Sequence, residues 1–205
     1  MTEGKRGYHH GNLRQALVEA ALKLIEVQGP QGFTLSEAAK AVDVTPAAVY
    51  RHFAGREDLL AEVARQGYDI FAALLEYAYD DGEPSALAAF EATGRAYLAF
   101  ARKYPGHYKA MFESGLDLRA HPGLHAVAER ARSVLERAAA RLSEHLPVGR
   151  RPPPSMFSAH IWAMSHGIVE LFARSNGRTP WSAEDLLEAG IGIYLRGLGL
   201  LPPDR

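Results

Sequence analysis

The chain contains no cysteine among its 205 residues, so disulfides, thiolate catalysis and cysteine-based zinc sites are excluded. It also lacks any apolar run approaching the roughly 18 residues that a membrane span requires. Its start, Met1-Thr2-Glu3-Gly4-Lys5-Arg6-Gly7, leads into no apolar signal core. A cytoplasmic protein with no membrane partner is the expectation. Strong net charge is missing as well: the formal value is −1 at pH 7, which argues against a protein that coats nucleic acid nonspecifically. Within residues 1–60, Lys5, Arg6, Arg14, Lys23, Lys40, Arg51 and Arg56 are balanced by Glu3, Glu19, Glu26, Glu37, Asp43, Glu57 and Asp58. Any affinity for DNA must therefore come from local placement of charge. No phosphate loop, dinucleotide fingerprint, nucleophile elbow or His-Glu-x-x-His occurs, which argues against an enzyme. Among the histidines, His121 and His125 flank Pro122-Gly123, and His9 and His10 are adjacent, with no carboxylates at usual ligand spacing. Neither a metal nor a cofactor is expected.

What is present is helical punctuation. Helix-start residues occur at Thr34 to Ser36 and again at Thr45-Pro46, on either side of Asp43. Thr45 is placed to cap the second helix and Pro46 fits its first turn. Ala38, Ala39, Val42, Val44, Val49 and Phe53 are spaced so that both short helices pack on a third element. This is the layout of a helix-turn-helix, and in such a unit the start of the second helix, Thr45 to Ala48, meets base edges in the major groove. Spacing alone equally allows a helical hairpin inside an ordinary all-α core.

The flanks add to the pattern. Upstream lie Leu13, Leu17, Ala20, Ala21, Leu24 and Ile25, then Gly29-Pro30-x-Gly32-Phe33; downstream lies Gly55-Arg56-Glu57-Asp58-Leu59-Leu60. The run from Leu13 to Leu60 resembles the N-terminal DNA-binding domain of the TetR family of bacterial transcription regulators, most specifically at Val49-Tyr50-x-x-Phe53-x-x-Arg56-Glu57-x-Leu59-Leu60. Two positions depart from the family. Asp43 stands where Gly is common, and Asp is among the few other residues that enter the left-handed region at modest cost. Arg56 stands where Lys is common, which keeps the charge and adds a planar fork. Residue by residue, the resemblance implies that Thr34, Thr45, Tyr50, His52 and Arg56 touch phosphates while Pro46, Ala47, Ala48 and Arg51 face base edges. Arg6, in the polar start of the chain with Lys5, Tyr8, His9 and His10, is a further candidate for the DNA backbone or minor groove. An unstructured basic tail is the alternative for that segment.

The rest reads as all helix. A first helix over about 12–28 ends at Gly29-Pro30, with Phe33 and Leu35 filling the space beside it. A long helix over Arg56 to Tyr79 is stopped by Asp80-Asp81-Gly82-Glu83-Pro84. Helices are predicted over Ser85 to Lys103, Pro105 to Glu113, Leu124 to Leu146, Ser155 to Asn176 and Ser182 to Leu200. The last is capped by Ser182 with Asp185 three residues on. Gly190, Gly192, Gly197 and Gly199 each cost about 1 kcal/mol in a helix interior, which predicts that another helix packs close to it. The fold class is thus all-α, with a three-helix DNA-binding domain at 11–71 joined by the long helix to a bundle at 84–201 for regulation and dimerisation.

Trp162-x3-His166-Gly167 puts an indole and an imidazole one turn apart on an otherwise apolar helix. Such a histidine is either a satisfied core group or the polar feature of an apolar cavity. The stretch resembles the Trp-His-Gly signature of a C-terminal domain in a subset of TetR-like regulators. The candidate effector site is Tyr97, Tyr104, Tyr108, Met111, Phe112, Trp162 and His166, because aromatic and Met side chains with few polar groups line small-molecule cavities; an ordinary core is the alternative. The expected function is a homodimeric repressor released from a near-palindromic double-stranded DNA operator by a small, mostly apolar effector. The rivals are a helical small-molecule-binding protein and a DNA-binding regulator without a ligand.

Overall fold

The computed structural model describes residues 13–173 and 180–202, and among these all regular structure is helical. The helices are α1 (Leu13–Gln28), α2 (Leu35–Ala41), α3 (Pro46–Val49), α4 (Arg56–Tyr79), α5 (Ala86–Lys103), α6 (Pro105–Phe112), α7 (Pro122–Ser143), α8 (Pro154–Ile168, continued by π-helical turns over Val169–Ala173) and α9 (Ala183–Leu198). None is long and apolar enough to cross a membrane. The chain forms two compact units. The first runs to Gly67 and includes Gly106–Leu124; the second comprises Tyr68–Pro105 and the chain from His125 onward. The long helix α4 contributes its first half to one and its second half to the other.

In the first unit, Leu17, Ala21 and Ile25 recur at intervals of four on α1 and are fully buried. Gly29 ends the helix in the left-handed region, φ +79°, with its N–H on the Ile25 carbonyl at 2.9 Å. Phe33 and Leu35 then fill the interior together with Val49, Phe53, Leu59, Leu60 and Val63. Each such side chain contributes on the order of 1.5–3 kcal/mol by leaving water. Helix α6 docks on the same unit. Gly106 lies so near Leu22 that a Cβ would stand 2.8 Å from its Cδ1, the His107 ring bonds the Val63 carbonyl at 3.1 Å, and the Lys109 ammonium donates to the Glu26 carbonyl at 2.6 Å. Burial, partly offset by the bond to Val63, lowers the His107 pKa, favouring the neutral ring.

Glu62 is a buried carboxylate of this unit. Arg14 of α1 meets it at 3.1 Å, Arg65 at 2.8 Å and the Gln66 amide at 3.0 Å. Burial pushes its carboxyl up, but the bonds from Arg65, Arg14 and Gln66 outweigh burial and hold it at about 2. Arg14 also stacks on Phe53, 5.0 Å from the ring centre. Its charge thus ties α1 to α4.

In the second unit, Phe71 meets Tyr97 edge-on at 5.3 Å and Phe100 at 4.9 Å. Gly94 of α5 admits Leu187 and Ile191 of α9, and Gly190 of α9 faces the Met164 sulfur, where a Cβ would come within 2.5 Å. The four glycines of the last helix therefore have separate causes. Gly190 permits helix contact within the chain; Gly199, at φ +83°, is the left-handed cap that ends α9; Gly192 faces its own Arg196, and around Gly197 there is open space.

Candidate DNA interface and effector site

The α2–α3 hairpin is built from three local devices. Thr34 and Glu37 form a capping box: the Thr34 hydroxyl accepts from the Glu37 N–H at 3.2 Å, and the Glu37 carboxylate accepts from the Thr34 N–H at 2.8 Å. The hydroxyl and N–H of Thr34 also lower the Glu37 pKa. Asp43 turns the chain in the left-handed region at φ +56°, and the Val44 N–H returns to the Ala39 carbonyl at 3.0 Å. Pro46 then opens α3. Thr45 stands at the N-cap position, but its side chain makes no capping bond, contrary to the sequence expectation. Its backbone carbonyl still accepts from Ala48 at 2.9 Å. Helix α3 itself is one turn, extended to Phe53 by turns whose N–H groups bond back to Ala48 and Val49.

Val49 and Phe53 anchor this segment inward, which leaves Thr45, Pro46, Ala47, Tyr50, Arg51 and His52 exposed and Ala48 half-buried. Eight of the ten candidate DNA residues thus lie on or beside the hairpin surface, counting Thr34, whose hydroxyl is already engaged by Glu37. Arg56 differs. Its Nε donates to the Phe33 carbonyl at 2.9 Å, its Nη2 to the Pro30 carbonyl and to Gln31 Oε1, and its guanidinium lies 4.9 Å from the Phe33 ring centre. In this geometry Arg56 fastens the α1–α2 loop to the start of α4. Arg6 lies outside the described residues.

Of the seven effector candidates, three meet. The Trp162 N–H donates to the Tyr97 hydroxyl oxygen at 3.3 Å, and that hydroxyl is 2.9 Å from His166 Nδ1. An indole N–H can only donate, so the hydroxyl proton is available to the imidazole. The chain of bonds joins α5 to α8 at a point where Tyr97 is 2% and Trp162 40% exposed. The space beside it, bounded by Phe90, Leu135, Ile161 and Ser165, is about 10 Å³, room for about one water. Tyr104 packs on Phe100 at 5.5 Å in the same unit. Tyr108, Met111 and Phe112 belong to the first unit, where the Tyr108 and Phe112 rings meet edge-on at 4.9 Å and the Met111 sulfur faces Gly67.

A larger cavity, 380 Å³, lies elsewhere in the second unit. Leu98, Ala101, Pro105, Val169 and Ala183 line it, and at its rim Arg102 donates to Glu184 at 2.7 Å. Nothing in the sequence signals it, since Arg102 and Glu184 are far apart in the chain and each sits in an unremarkable helix turn. A third feature is the outer face of α8 and α9, where Met156 and Ile193 are more than half exposed and Gly167 and Gly197 face open space.

A buried hairpin core that holds a short helix outward, with a separate helical unit, defines the class of helix-turn-helix regulators. Comparison with known proteins gives the particular family. Residues 17–63 match the model described as bacterial regulatory proteins, tetR family, and residues 90–194, more than half of the chain, match the tetracyclin repressor-like C-terminal domain. The chain belongs to the TetR family of transcriptional regulators. It is 28% identical over 101 residues to the uncharacterized HTH-type transcriptional regulator YobS of Bacillus subtilis, covering 49% of this chain. The alignment spans about half of that relative's length, 51%. A solved protein of unknown function from Rhodococcus sp. RHA1 superposes with a TM-score of 0.79 at 26% identity, over 94% of this chain and 98% of its own. AibR, solved in complex with isovaleryl coenzyme A and operator DNA, superposes at 0.70 with 21% identity, over 89% and 97% of the two chains.

Proposed function

We propose that the protein is a dimeric repressor that occupies a near-palindromic operator and leaves it when a small, mostly apolar molecule binds the second unit. The observation that carries the DNA half is the outward surface of α3, where small residues at Pro46, Ala47 and Ala48 let the backbone come close to base edges while Tyr50, His52 and Thr45 flank it for phosphates. Dimerisation rests on the α8–α9 face. Exposed Met156 and Ile193 beside the open Gly167 and Gly197 form a surface that a second copy of the same two helices would cover. Two reading helices would then meet successive major grooves roughly 34–36 Å apart. A dimer seated on a promoter blocks it without further machinery, which is why repression is the sense proposed.

Release requires an effector that favours the dimer geometry unable to bind DNA, since equal affinity for both geometries shifts nothing. A coupling of about 1–3 kcal/mol would change operator affinity roughly 5- to 150-fold. Helix α4 is the lever in this reading, because one continuous helix belongs to both units. AibR, a fold relative, was solved with both an acyl-coenzyme A and operator DNA, which supports the reading by kind. The close packing around Tyr97 and Trp162 favours the rival of a regulator with no ligand at that position.

The test is a fluorescence-anisotropy titration against the DNA flanking the protein's own gene. Specific binding at least about 10³-fold tighter than to unrelated duplex is expected. Equal affinity for both duplexes would contradict the proposal.

A further inference from the structure

We infer that the effector site is the cavity between α5, α8 and α9, and that it takes a medium-chain carboxylic acid whose carboxylate replaces Glu184 on Arg102. This rests on the reading of the protein as an effector-controlled regulator. At 380 Å³ the cavity is within the size range of small-molecule sites, whereas the space beside Tyr97 and Trp162 is about 10 Å³. Its interior is apolar, formed by Leu98 and Ala101 of α5, Val169, Ala183 of α9 and Pro105. Val169 also opens the π-helical stretch Val169–Ala173, and such departures from α-helix concentrate at functional sites. Among the described residues, the charged groups that line it are Arg102 and Glu184.

Both charges of that pair are served by their own helices. Arg102 is in the last turn of α5 and Glu184 in the first turn of α9, the ends that favour a cation and an anion respectively. Their side chains are 71% and 43% exposed, so the ion pair is held weakly and exchanges at small cost. A ligand carboxylate takes the Arg102 fork and Glu184 swings to solvent at the α9 N-terminus, while the alkyl chain fills the interior. The headgroup is fixed at this end. Further along the α5–α9 groove the rim passes to Glu91, Arg95 and Glu188, whose two carboxylates repel an anion. Because Ala183 and Glu184 begin α9, filling the cavity acts directly on a helix of the proposed dimer face. This gives effector occupancy a route to reading-helix separation that does not pass through Tyr97, Trp162 or His166.

Octanoate, octanol and octylamine share one chain length and differ in headgroup, so they probe the site on the full-length protein. Thermal shift and Trp fluorescence report binding, and anisotropy of labelled operator DNA reports release. Octanoate is expected to bind at least about tenfold tighter than octanol or octylamine, Arg102→Gln to lose that preference while leaving octanol binding unchanged, and Leu98→Trp to block all three with an unaltered circular dichroism spectrum. Should Leu98→Trp fail to fold, Ala101→Leu serves as the cavity-filling variant. Equal binding of the three probes, no binding of octanoate, or an octanoate preference that survives Arg102→Gln would each overturn the assignment. If apolar compounds release operator DNA equally from wild type and the cavity-filled variant, this site is wrong but the regulator reading stands. A wild-type protein that binds no operator refutes that reading instead.

Discussion

Replacing Asp43 tests how the turn aims α3. The residue sits at φ +56° between α2 and α3, and the N–H groups of Asp43 and Val44 return to Lys40 and Ala39 at 3.2 and 3.0 Å. Left-handed backbone costs an ordinary L-residue about 1–2 kcal/mol, and less for Asp or Asn. Asp43→Gly removes that strain but gives the unfolded chain more freedom, worth about 0.4–1 kcal/mol. The two effects oppose each other, and the variant should melt within about 1 kcal/mol of wild type. Asp43→Val restores the full strain with a β-branched side chain and should lose about 1–2 kcal/mol. At about 2–4 °C per kcal/mol for a chain of this size, its melting point should fall by about 2–8 °C. A relaxed turn would also re-aim Pro46 to Ala48, so operator affinity should drop more than stability alone explains. Asp43→Asn keeps the turn and removes the charge, separating backbone from electrostatic effects. Thermal melts and operator titrations at one salt concentration read both quantities. An Asp43→Val variant with wild-type stability and affinity would show that this turn does not control the reading helix.

Other outcomes follow from the same geometry. Gly197→Glu puts a charge on open space of the α9 face and should give monomers by sedimentation that fail on the operator; a folded variant that stays dimeric would exclude α9 from the interface. Glu62 has its pKa depressed to about 2, so its contribution is present at neutral pH and is lost as pH falls from the ordinary carboxylate range toward 2. Glu62→Gln should therefore lower the melting point at pH 7, and the difference from wild type should shrink in acid; a constant difference between pH 7 and pH 3 would count against it. Ala47→Arg should change which operator sequence is preferred, read by competition with altered half-sites, whereas Tyr50→Phe should weaken all sequences alike.

Much of the local structure was legible because single residues decide it. Tyr79 and the Asp80-Asp81-Gly82 cluster end α4 where read, Ser182 and Asp185 cap α9, and Asp43 takes the left-handed turn. Tertiary choices were not. Thr45 holds the cap position, yet whether its hydroxyl caps depends on a side-chain rotamer that pattern does not encode. The α7 start at Pro122 rather than Leu124 follows the preference of Pro for a first turn. Arg56 reads as a free cation in sequence, but the Pro30 and Phe33 carbonyls that claim it come from a loop more than twenty positions away. Trp162 and His166 were visible as a pair by their spacing of four. Their shared partner Tyr97 lies on another helix, and the docking of α6 on the first unit depends on Gly106 fitting against Leu22. The 380 Å³ cavity is space left between elements, which no residue spacing announces.

In the proposed complex α3 reads DNA sequence from a two-fold dimer. Selection from a random duplex library with the full-length protein, followed by anisotropy titration of the enriched sequence, tests it most directly. An inverted repeat is expected whose half-sites lie about one helical turn apart centre to centre, bound by two chains, with the preference altered by Ala47→Arg. Enrichment of no sequence, or an enriched sequence whose binding is indifferent to changes at Pro46, Ala47 and Arg51, would contradict it.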